Sequence, residues 1–230
     1  MARNNKEVSS LIKDGERLDD LQFNNLYIIQ NEQGYCFTSD AVALANFVSV
    51  KSGGKLVDLC SGSGVIGILA TAKNTVKETT LVEIQECLAE MSQRSIEYNK
   101  LSNIKVVNAP LQGIHKVIGM AVYDTVVCNP PYKKRGTAKL INENESIAIA
   151  RHEIAVTIEE IIKEASLLLK YGGDFYIVNK EERLTDMMVL LRQYDLEPKV
   201  LKILPSTKGA NIVMLKAKKG GKSGLAISLK

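Results

Sequence analysis

The sequence predicts an α/β fold built on a doubly wound, mostly parallel sheet of seven strands, one of them antiparallel. From about residue 55 onwards, short apolar runs alternate with segments of helical periodicity. This alternation is typical of a mainly parallel sheet with helices on both faces. The last two β segments are joined by a connection too short for a crossover, so we expect them to pair antiparallel.

Length and composition agree with this architecture. The 230 residues are 45% hydrophobic and 24% charged, which suits an ordinary globular domain. No apolar run approaches the roughly 18 residues of a membrane span, and the N-terminal segment lacks the apolar core of a secretion signal. Four scattered cysteines without a C-x-x-C pair indicate neither a zinc site nor a disulfide framework. We therefore expect a cytoplasmic protein that binds no metal.

The N-terminal region is predicted to be a short helix and hairpin extension, residues 1–50, packed on a main domain of residues 51–230. The polar first 20 residues predict a helix and its exit. Two β segments, 26–30 and 35–37, flank a turn-forming tetrapeptide and predict a hairpin. A second helix is expected to begin at Thr38.

The alternation that follows supplies the sheet. Strands are predicted at residues 55–59, 79–83, 104–107, 123–128 and 174–178, and as two segments within 199–217. Helices are predicted at residues 64–72, 85–99, 111–118, 157–169 and 182–194. The fourth of these helices opens with Thr157 and Glu160 in the spacing of a capping box.

Positive charge is concentrated in two places. Residues 1–197 hold 22 basic and 26 acidic groups, a net charge of −4, whereas eight lysines and no acidic residue follow Glu197. A second cluster, Lys133-Lys134-Arg135, lies in the middle of the chain. Segregated positive charge favours a polyanionic partner, although solvated lysines also keep a protein soluble. For the C-terminal lysines both interpretations stay open.

A glycine-rich turn follows the first strand of the predicted sheet. Asp58 precedes the pattern Gly62-x-Gly64-x-x-Gly67, and Glu83 ends the next strand. Such a turn lets a ligand approach the backbone, and the later carboxylate can accept hydrogen bonds from ribose hydroxyls. A dinucleotide site shares this pattern, and a purely structural turn is a smaller alternative. The carboxylate of Asp58, however, suits a cationic amino-acid group better than a pyrophosphate.

A second motif, Asn129-Pro130-Pro131-Tyr132, ends the fourth predicted strand. With the glycine turn and Glu83, it makes the chain resemble class I S-adenosylmethionine-dependent methyltransferases of the amino-methylating branch, which have a Rossmann-like fold. An exocyclic amino group is a poor nucleophile because its lone pair is delocalised. The Asn129 side-chain oxygen and the Pro130 carbonyl can hold its protons, while the stiff prolines preorganise both acceptors. Tyr132 offers a flat face on which a planar substrate can stack.

The flanking sequences narrow the resemblance. Segments 16–21, 34–44 and 150–153 resemble the bacterial tRNA1(Val) adenine-37-N6-methyltransferase family, and the resemblance covers nearly the whole chain. It implies S-adenosylmethionine as cofactor and tRNA as substrate. The implied cofactor-binding residues are Tyr35, Phe37, Thr38 and Asp40 at the methionine end, Asp58, Gly62 and Gly64 at the amino-acid part, Glu83 at the ribose, and Asn129 beside the transferred methyl group.

The chain departs from this pattern at the cofactor's adenine. Many such enzymes have an aspartate after the third strand, where this chain has Pro110. We expect Asn108 or backbone groups to replace that contact. The residues expected to bind RNA are Lys133, Lys134, Arg135, Arg151 and His152. For His152, a role in ordering its own loop is the alternative.

Three other functions remain open. Release-factor glutamine N5-methyltransferases also use the Asn-Pro-Pro-Tyr motif, but they carry a helical N-terminal domain, and only 57 residues precede Asp58 here. DNA adenine methylation is a further possibility, although no additional target-recognition domain is visible. A non-catalytic RNA-binding module could retain the fold, but the intact Asn129, Pro130 and Tyr132 argue against it.

Overall fold

Two β-sheets organise the chain, and the computed structural model describes residues 11–32, 34, 36–130, 156–206 and 209–228. The strands are β1 (Glu16–Asp20), β2 (Tyr27–Asn31), β3 (Gly54–Leu59), β4 (Val76–Glu83), β5 (Ile104–Asn108), β6 (Tyr123–Cys128), β7 (Leu169–Lys180), β8 (Leu196–Leu204), β9 (Ile212–Lys219) and β10 (Ala226–Ser228). The helices are α1 (Ser39–Phe47), α2 (Val65–Lys73), α3 (Glu86–Tyr98), α4 (His115–Ile118), α5 (Ile158–Leu168) and α6 (Leu184–Gln193). Within these described residues, no helix combines the length and apolar character that crossing a membrane requires.

The larger sheet has its strands in the order β10-β8-β9-β7-β6-β3-β4-β5. β9 runs antiparallel to both of its neighbours, β7 and β8, and the other adjacent strands are parallel. The predicted doubly wound, mostly parallel sheet with one reversed strand is therefore confirmed. The sheet has eight strands rather than seven, because the three residues of β10 add a short parallel strand beside β8. A segment of that length carries too little alternation to be recognised.

Helices cover both faces of this sheet. Side chains alternate along β3, so that Leu56 belongs to one buried cluster, together with residues of α1 and α2. Its neighbour Val57 belongs to a second buried cluster, which includes residues of α5 and α6. Strands buried on both faces are continuous apolar runs, and this explains why β3 and β6 were readily predicted.

The N-terminal hairpin differs from the prediction. β2 pairs with β1, and Cys36 and Phe37, the described residues of the predicted second strand, lie outside any strand. Glu16–Asp20 is therefore a strand rather than part of a polar helix and its exit. The chain turns between these strands through left-handed residues that include Asn24 and Asn25, with φ of 49° and 55°. Asparagine tolerates this conformation better than most residues. Leu18 of β1 packs with the buried cluster that contains Ile29, and this long-range contact favours the observed pairing.

The hairpin is fixed to α3 by side-chain hydrogen bonds. The Asn99 side chain accepts a hydrogen bond from Tyr27 N–H at 2.9 Å and donates one to the Tyr27 carbonyl at 2.6 Å. Both terminal nitrogens of the Arg94 guanidinium donate to the Glu16 carboxylate, at 2.5 and 2.6 Å. The edge of β2 that faces away from β1 therefore forms part of its hydrogen bonds with Asn99, at the end of α3.

The start of α5 is as predicted. The Thr157 hydroxyl accepts a hydrogen bond from Glu160 N–H at 3.2 Å, and the Glu160 carboxylate accepts one from Thr157 N–H at 2.7 Å. These two bonds form a complete capping box. The local sequence therefore determines where the chain enters this helix.

Candidate active site

Several of the residues predicted to form the site lie at the carboxyl ends of strands in the larger sheet, which we call its carboxyl edge. The glycine turn follows β3, and Glu83 and Asn108 are the last residues of β4 and β5. Asn129 is the first residue after β6, which pairs with β3 in parallel, with Cys128 opposite Leu59. Because the carboxyl ends of parallel strands meet at the same edge, these side chains surround one crevice.

The glycine turn allows α2 to pack closely on the sheet. Gly62 and Gly64 have φ of 55° and 85°, in the region that favours glycine, and Cys60 also adopts a positive φ of 55°. A Cβ at Gly64 would lie 2.8 Å from a methyl of Leu81, and a Cβ at Gly67 would lie 2.2 Å from another. The glycines therefore serve backbone conformation and helix packing, and they bring the N-terminus of α2 to the crevice.

The carboxyl group of Asp58 is fully buried. One oxygen accepts a hydrogen bond from Gly67 N–H at 2.9 Å, and the other has no partner. Burial raises the pKa of Asp58 to about 8, the Gly67 hydrogen bond opposes this, and the charge of Glu83 adds to it. A cation that approached the unpaired oxygen would favour the ionised carboxylate. This environment suits the ammonium of an amino acid.

Glu83 accepts two backbone hydrogen bonds. One oxygen is bonded to Gly62 N–H at 2.8 Å, and the other to Gln85 N–H at 2.9 Å. Burial raises the pKa of this carboxyl, and these backbone bonds act in the opposite direction. Each carboxylate oxygen can accept a further hydrogen bond, so Glu83 keeps the capacity to bind a ribose hydroxyl.

A small, largely apolar pocket lies beside Glu83. The pocket is open on one side and is lined by Cys60, Val82, Glu83, Ile84, Ala109, Leu111 and Val156. The Asn108 amide nitrogen donates to the carbonyls of Glu83 and Ile84, at 2.8 and 3.1 Å. Asn108 therefore fixes the rim of the pocket, and its amide oxygen is the group left to meet a ligand. The largely apolar lining suits the face of a flat heterocycle next to a ribose-binding carboxylate.

Sequence reasoning missed a residue that holds this pocket in shape. Glu164 of α5 is buried and accepts hydrogen bonds from Gly113 N–H at 3.0 Å and His115 N–H at 3.3 Å. Its carboxylate also lies 2.8 Å from the His115 ring nitrogen Nδ1. The loop it secures includes Leu111, one of the pocket-lining residues. The sequence did contain a signal for this residue, because a glutamate three residues after Ile161 lies on the apolar face of α5.

Asn129 presents an unpaired acceptor at the centre of this edge. Its side-chain oxygen is buried and has no hydrogen-bond partner. The preceding residue, Cys128, is fully buried, and burial raises the pKa of its thiol well above the usual value. A buried, unpaired oxygen favours a ligand with an N–H or O–H donor at that point. The groups at this edge thus fit the polar and aromatic parts of S-adenosylmethionine together with an amino acceptor.

Three further predicted residues lie at the start of α1. Phe37 N–H donates to the side-chain oxygen of Gln30 at 2.9 Å, and Thr38 is the N-cap, without a side-chain capping bond. Asp40 is in the first turn. α1 is followed directly by β3, so its N-terminus lies towards the carboxyl edge of the sheet. The cofactor contacts expected of these residues stay predictions.

The remaining predicted site residues cannot be placed. Those outside the described residues are Tyr35, Pro131, Tyr132, Lys133, Lys134, Arg135, Arg151 and His152. Their roles stay predictions from the sequence.

Three of the C-terminal lysines make contacts within the fold. Lys216 and Lys218 form ion pairs with Asp174 at 3.1 and 2.8 Å, in the middle of β7. The Lys219 ammonium donates to the carbonyls of Ser166 and Leu169, at the end of α5. Lys216 and Lys218 pair in register with Tyr176 and Asp174 of β7, which precede Ile177, the partner of Cys128, so β9 carries them away from the level of Asn129. Their contacts indicate a structural role.

Comparison with curated proteins finds relatives that are named tRNA1(Val) (adenine(37)-N6)-methyltransferase. The protein from Shewanella frigidimarina is 24% identical over 210 residues, which cover 89% of this chain and 79% of the relative. The protein from Shewanella sp. (strain W3-18-1) is 25% identical over 177 residues, covering 76% and 73%. Identity at this level leaves the substrate of this chain to be tested.

Solved structures share the fold. A transferase from Pyrococcus horikoshii matches with a TM-score of 0.65 and 14% identity, covering 90% of this chain and 72% of that one. A predicted O-methyltransferase from Agrobacterium tumefaciens matches with a TM-score of 0.61 and 20% identity, covering 81% and 84%. The family model described as "Methyltransferase small domain" matches residues 38–194. That match covers more than half of the sequence and includes the glycine turn, Glu83 and Asn129, so this chain belongs to the methyltransferase small domain family.

Proposed function

We propose that this protein transfers a methyl group from S-adenosylmethionine to the N6 amino group of adenine in tRNA. The observation that carries the proposal is the buried, unpaired side-chain oxygen of Asn129, at the same sheet edge as the glycine turn and Glu83. The shared name of the Shewanella relatives supports tRNA as the substrate and position 37 of tRNA1(Val) as the target.

The residues at the sheet edge divide into a cofactor side and an acceptor side. S-adenosylmethionine is the methyl donor, and its sulfonium carries a methyl group that is already activated for transfer. On the cofactor side, Asp58 would hold the amino-acid end and Glu83 the ribose, while the pocket of Ile84 and Leu111 would take the adenine. Because the donor is activated, the protein contributes mainly by holding the reactants in line.

On the acceptor side, Asn129 prepares the amino group for attack. Its oxygen accepts one N–H of the amino group, and the carbonyl of Pro130 accepts the other. Both bonds strengthen as the nitrogen gives up its conjugation and gains positive charge. Acceptors that are already oriented stabilise this transition state without reorganisation. The proton released after transfer passes to solvent, so the site needs no strongly basic side chain.

The alternative acceptor is the side-chain amide of glutamine in a protein. It presents the same delocalised amino group, so the Asn129 geometry alone does not separate it from adenine. The two differ in shape and in the polyanion to which an adenine is attached. The names of the relatives favour RNA.

The experiment that tests the proposal is methyl transfer from labelled S-adenosylmethionine to separate pools of tRNA, DNA and cellular protein. We expect label in tRNA, recovered as N6-methyladenosine after digestion to nucleosides. Label in protein alone would overturn the RNA proposal in favour of a glutamine acceptor. Bound cofactor with no label in any pool would indicate a non-catalytic module. Mass spectrometry of tRNA from a strain without the protein would identify the modified position.

A further inference from the structure

Cys60 and Cys128 bring two thiols together at the carboxyl edge of the larger sheet. β3 and β6 are parallel neighbours with Leu59 opposite Cys128, and Cys60 is the residue after Leu59. Both cysteines belong to the same buried cluster, Cys128 as a fully buried member and Cys60 as a partly buried residue packed against it. The two thiols are within hydrogen-bonding distance of each other. Cysteines that are far apart in the sequence therefore form a neighbouring pair, and both are free thiols in the structure.

The two thiols differ in their access to solvent. Cys60 is half-buried and lines the open pocket beside Glu83, whereas Cys128 is completely buried. A small reagent that enters the pocket can therefore reach the sulfur of Cys60, and the thiol of Cys128 is available mainly to Cys60. An accessible thiol with a second thiol beside it is the arrangement that redox-sensitive cysteines use.

We propose that Cys60 and Cys128 are a redox modification site, at which a hydroperoxide converts the thiol pair into a reversible disulfide that lowers the affinity for the cofactor. In the first step the Cys60 sulfur bonds to one oxygen of hydrogen peroxide, the O–O bond breaks, and the other oxygen leaves as water with the thiol proton. In the second step the Cys128 sulfur bonds to the Cys60 sulfur, and the S–O bond of the sulfenic acid breaks. The hydroxyl leaves with the Cys128 proton as a second water. Together the two thiols lose two electrons, which reduce one peroxide.

The position of Cys128 favours the disulfide over further oxidation of Cys60. A thiol held against the sulfenic acid reacts as an intramolecular partner, at an effective concentration that no dissolved reductant reaches. Burial raises the pKa of the Cys128 thiol, so this thiol stays protonated until the leaving hydroxyl takes its proton. In a reducing compartment the bond would be transient, as is typical of disulfides that sense oxidants.

The disulfide would alter both sides of the site. Because a covalent S–S bond is shorter than a contact between two thiols, its formation draws Cys60 towards Cys128. Cys60 opens the glycine turn with a positive φ of 55°, and Gly62 of this turn donates to Glu83. Cys128 directly precedes Asn129. The bond would therefore disturb the pocket and the turn after β6, and its effect on cofactor binding rests on the proposed function.

The test treats reduced, cofactor-free wild-type protein with stoichiometric hydrogen peroxide, alkylates the remaining thiols and maps them by mass spectrometry. We expect a cross-link between the peptides of Cys60 and Cys128 that dithiothreitol reverses, while Cys87 is recovered alkylated. Calorimetry should show that the oxidised form binds S-adenosylhomocysteine about tenfold more weakly or worse, the effect of one lost contact in a binding site. Dithiothreitol should restore the affinity.

Cys60→Ser removes the reactive thiol, and Cys87→Ser is the matched control because Cys87 is exposed on α3. The oxidised and reduced forms of each variant are compared with each other, so an effect of the substitution itself on affinity cancels. Peroxide should weaken binding by Cys87→Ser as in the wild type and leave binding by Cys60→Ser unchanged. The proposal is overturned if Cys60 and Cys128 both remain open to alkylation after peroxide, or if the cross-linked protein binds S-adenosylhomocysteine as tightly as the reduced one. Failure of the proposed function would appear differently, as absence of methyl transfer to tRNA by the reduced wild-type protein.

Discussion

The carboxylate of Glu83 accepts a hydrogen bond from the backbone N–H of Gly62 at 2.8 Å and so joins the end of β4 to the glycine turn after β3. The same side chain is bonded to Gln85 N–H at the entry to α3. One buried carboxylate thus organises two backbone segments of the cofactor side. Its replacement should therefore affect both the shape of the turn and the binding of a ribose.

Glu83→Gln is expected to weaken cofactor binding. The amide retains one acceptor but places a donor against one of the two backbone N–H groups. The combined effect should be about 1–3 kcal/mol in affinity for S-adenosylhomocysteine, measured by calorimetry. Glu78→Gln is the matched control, because Glu78 begins the same strand and pairs with Lys55 and Lys105 at the opposite edge. Equal affinities of Glu83→Gln and wild type would remove Glu83 from the binding site.

Asp58 should make stability depend on pH in an unusual direction. Its pKa is about 8 in the folded protein and is raised from an ordinary value of 3.8. Between these values the folded state binds more protons than the unfolded state, so the free energy of unfolding falls as pH rises from about 4 to about 8. Asp58→Asn should remove this contribution, because an amide keeps the acceptor for Gly67 N–H without a charge.

The measurement is denaturant unfolding of wild type and Asp58→Asn across this pH range. We expect the variant to gain stability relative to wild type as pH rises, by about 5 kcal/mol at the upper end, and to bind S-adenosylmethionine more weakly. A difference between the two proteins that stays constant with pH would show that Asp58 is ionised throughout. Because burial also raises the pKa of Glu83, the comparison concerns the difference between the proteins rather than either slope alone.

Asn129→Ala should separate chemistry from binding. The lost acceptor acts mainly in the transition state, so single-turnover methyl transfer should fall about 10²–10³-fold while cofactor affinity changes little. Asn129→Asp keeps an acceptor oxygen and should retain more activity. Near wild-type transfer by Asn129→Ala would mean that the turn after β6 does not carry the reaction.

Replacing Lys133, Lys134 and Arg135 together by alanine should flatten the salt dependence of tRNA binding. Each phosphate contact that is lost lowers the slope of log K against log salt by about 0.7–0.9. The control replaces Lys216 and Lys218, which are paired with Asp174 in the middle of β7. It should leave the slope unchanged. A slope that falls in the control but not in the triple variant would indicate that RNA contacts the C-terminal strands rather than the mid-chain cluster.

The sequence predicted those features that depend on nearby residues. Alternating strands and helices, the Thr157 capping box and the reversed β9 follow from local periodicity and connection length. The partner of β2 depends instead on contacts between distant residues such as Leu18 and Leu88, which no local pattern specifies. In the site, motif residues were recognised by their spacing. Glu164 was missed because its importance arises from burial and from shared hydrogen bonds, which only the folded chain shows.

The direction of β9 also determines how far the charge of the C-terminal lysines can act. Asp174, which holds Lys216 and Lys218, lies three residues before Ile177, the partner of Cys128 on β7, and these three residues span about 10 Å of extended strand. At physiological ionic strength the Debye length is about 8 Å, so much of that positive potential is screened before the turn at Asn129, and Asp174 itself offsets one of the two charges. The net charge of +4 is therefore a poor guide to the field that an RNA meets at the crevice. That field is set by the charges at the carboxyl edge of the sheet, where Asn129 lies.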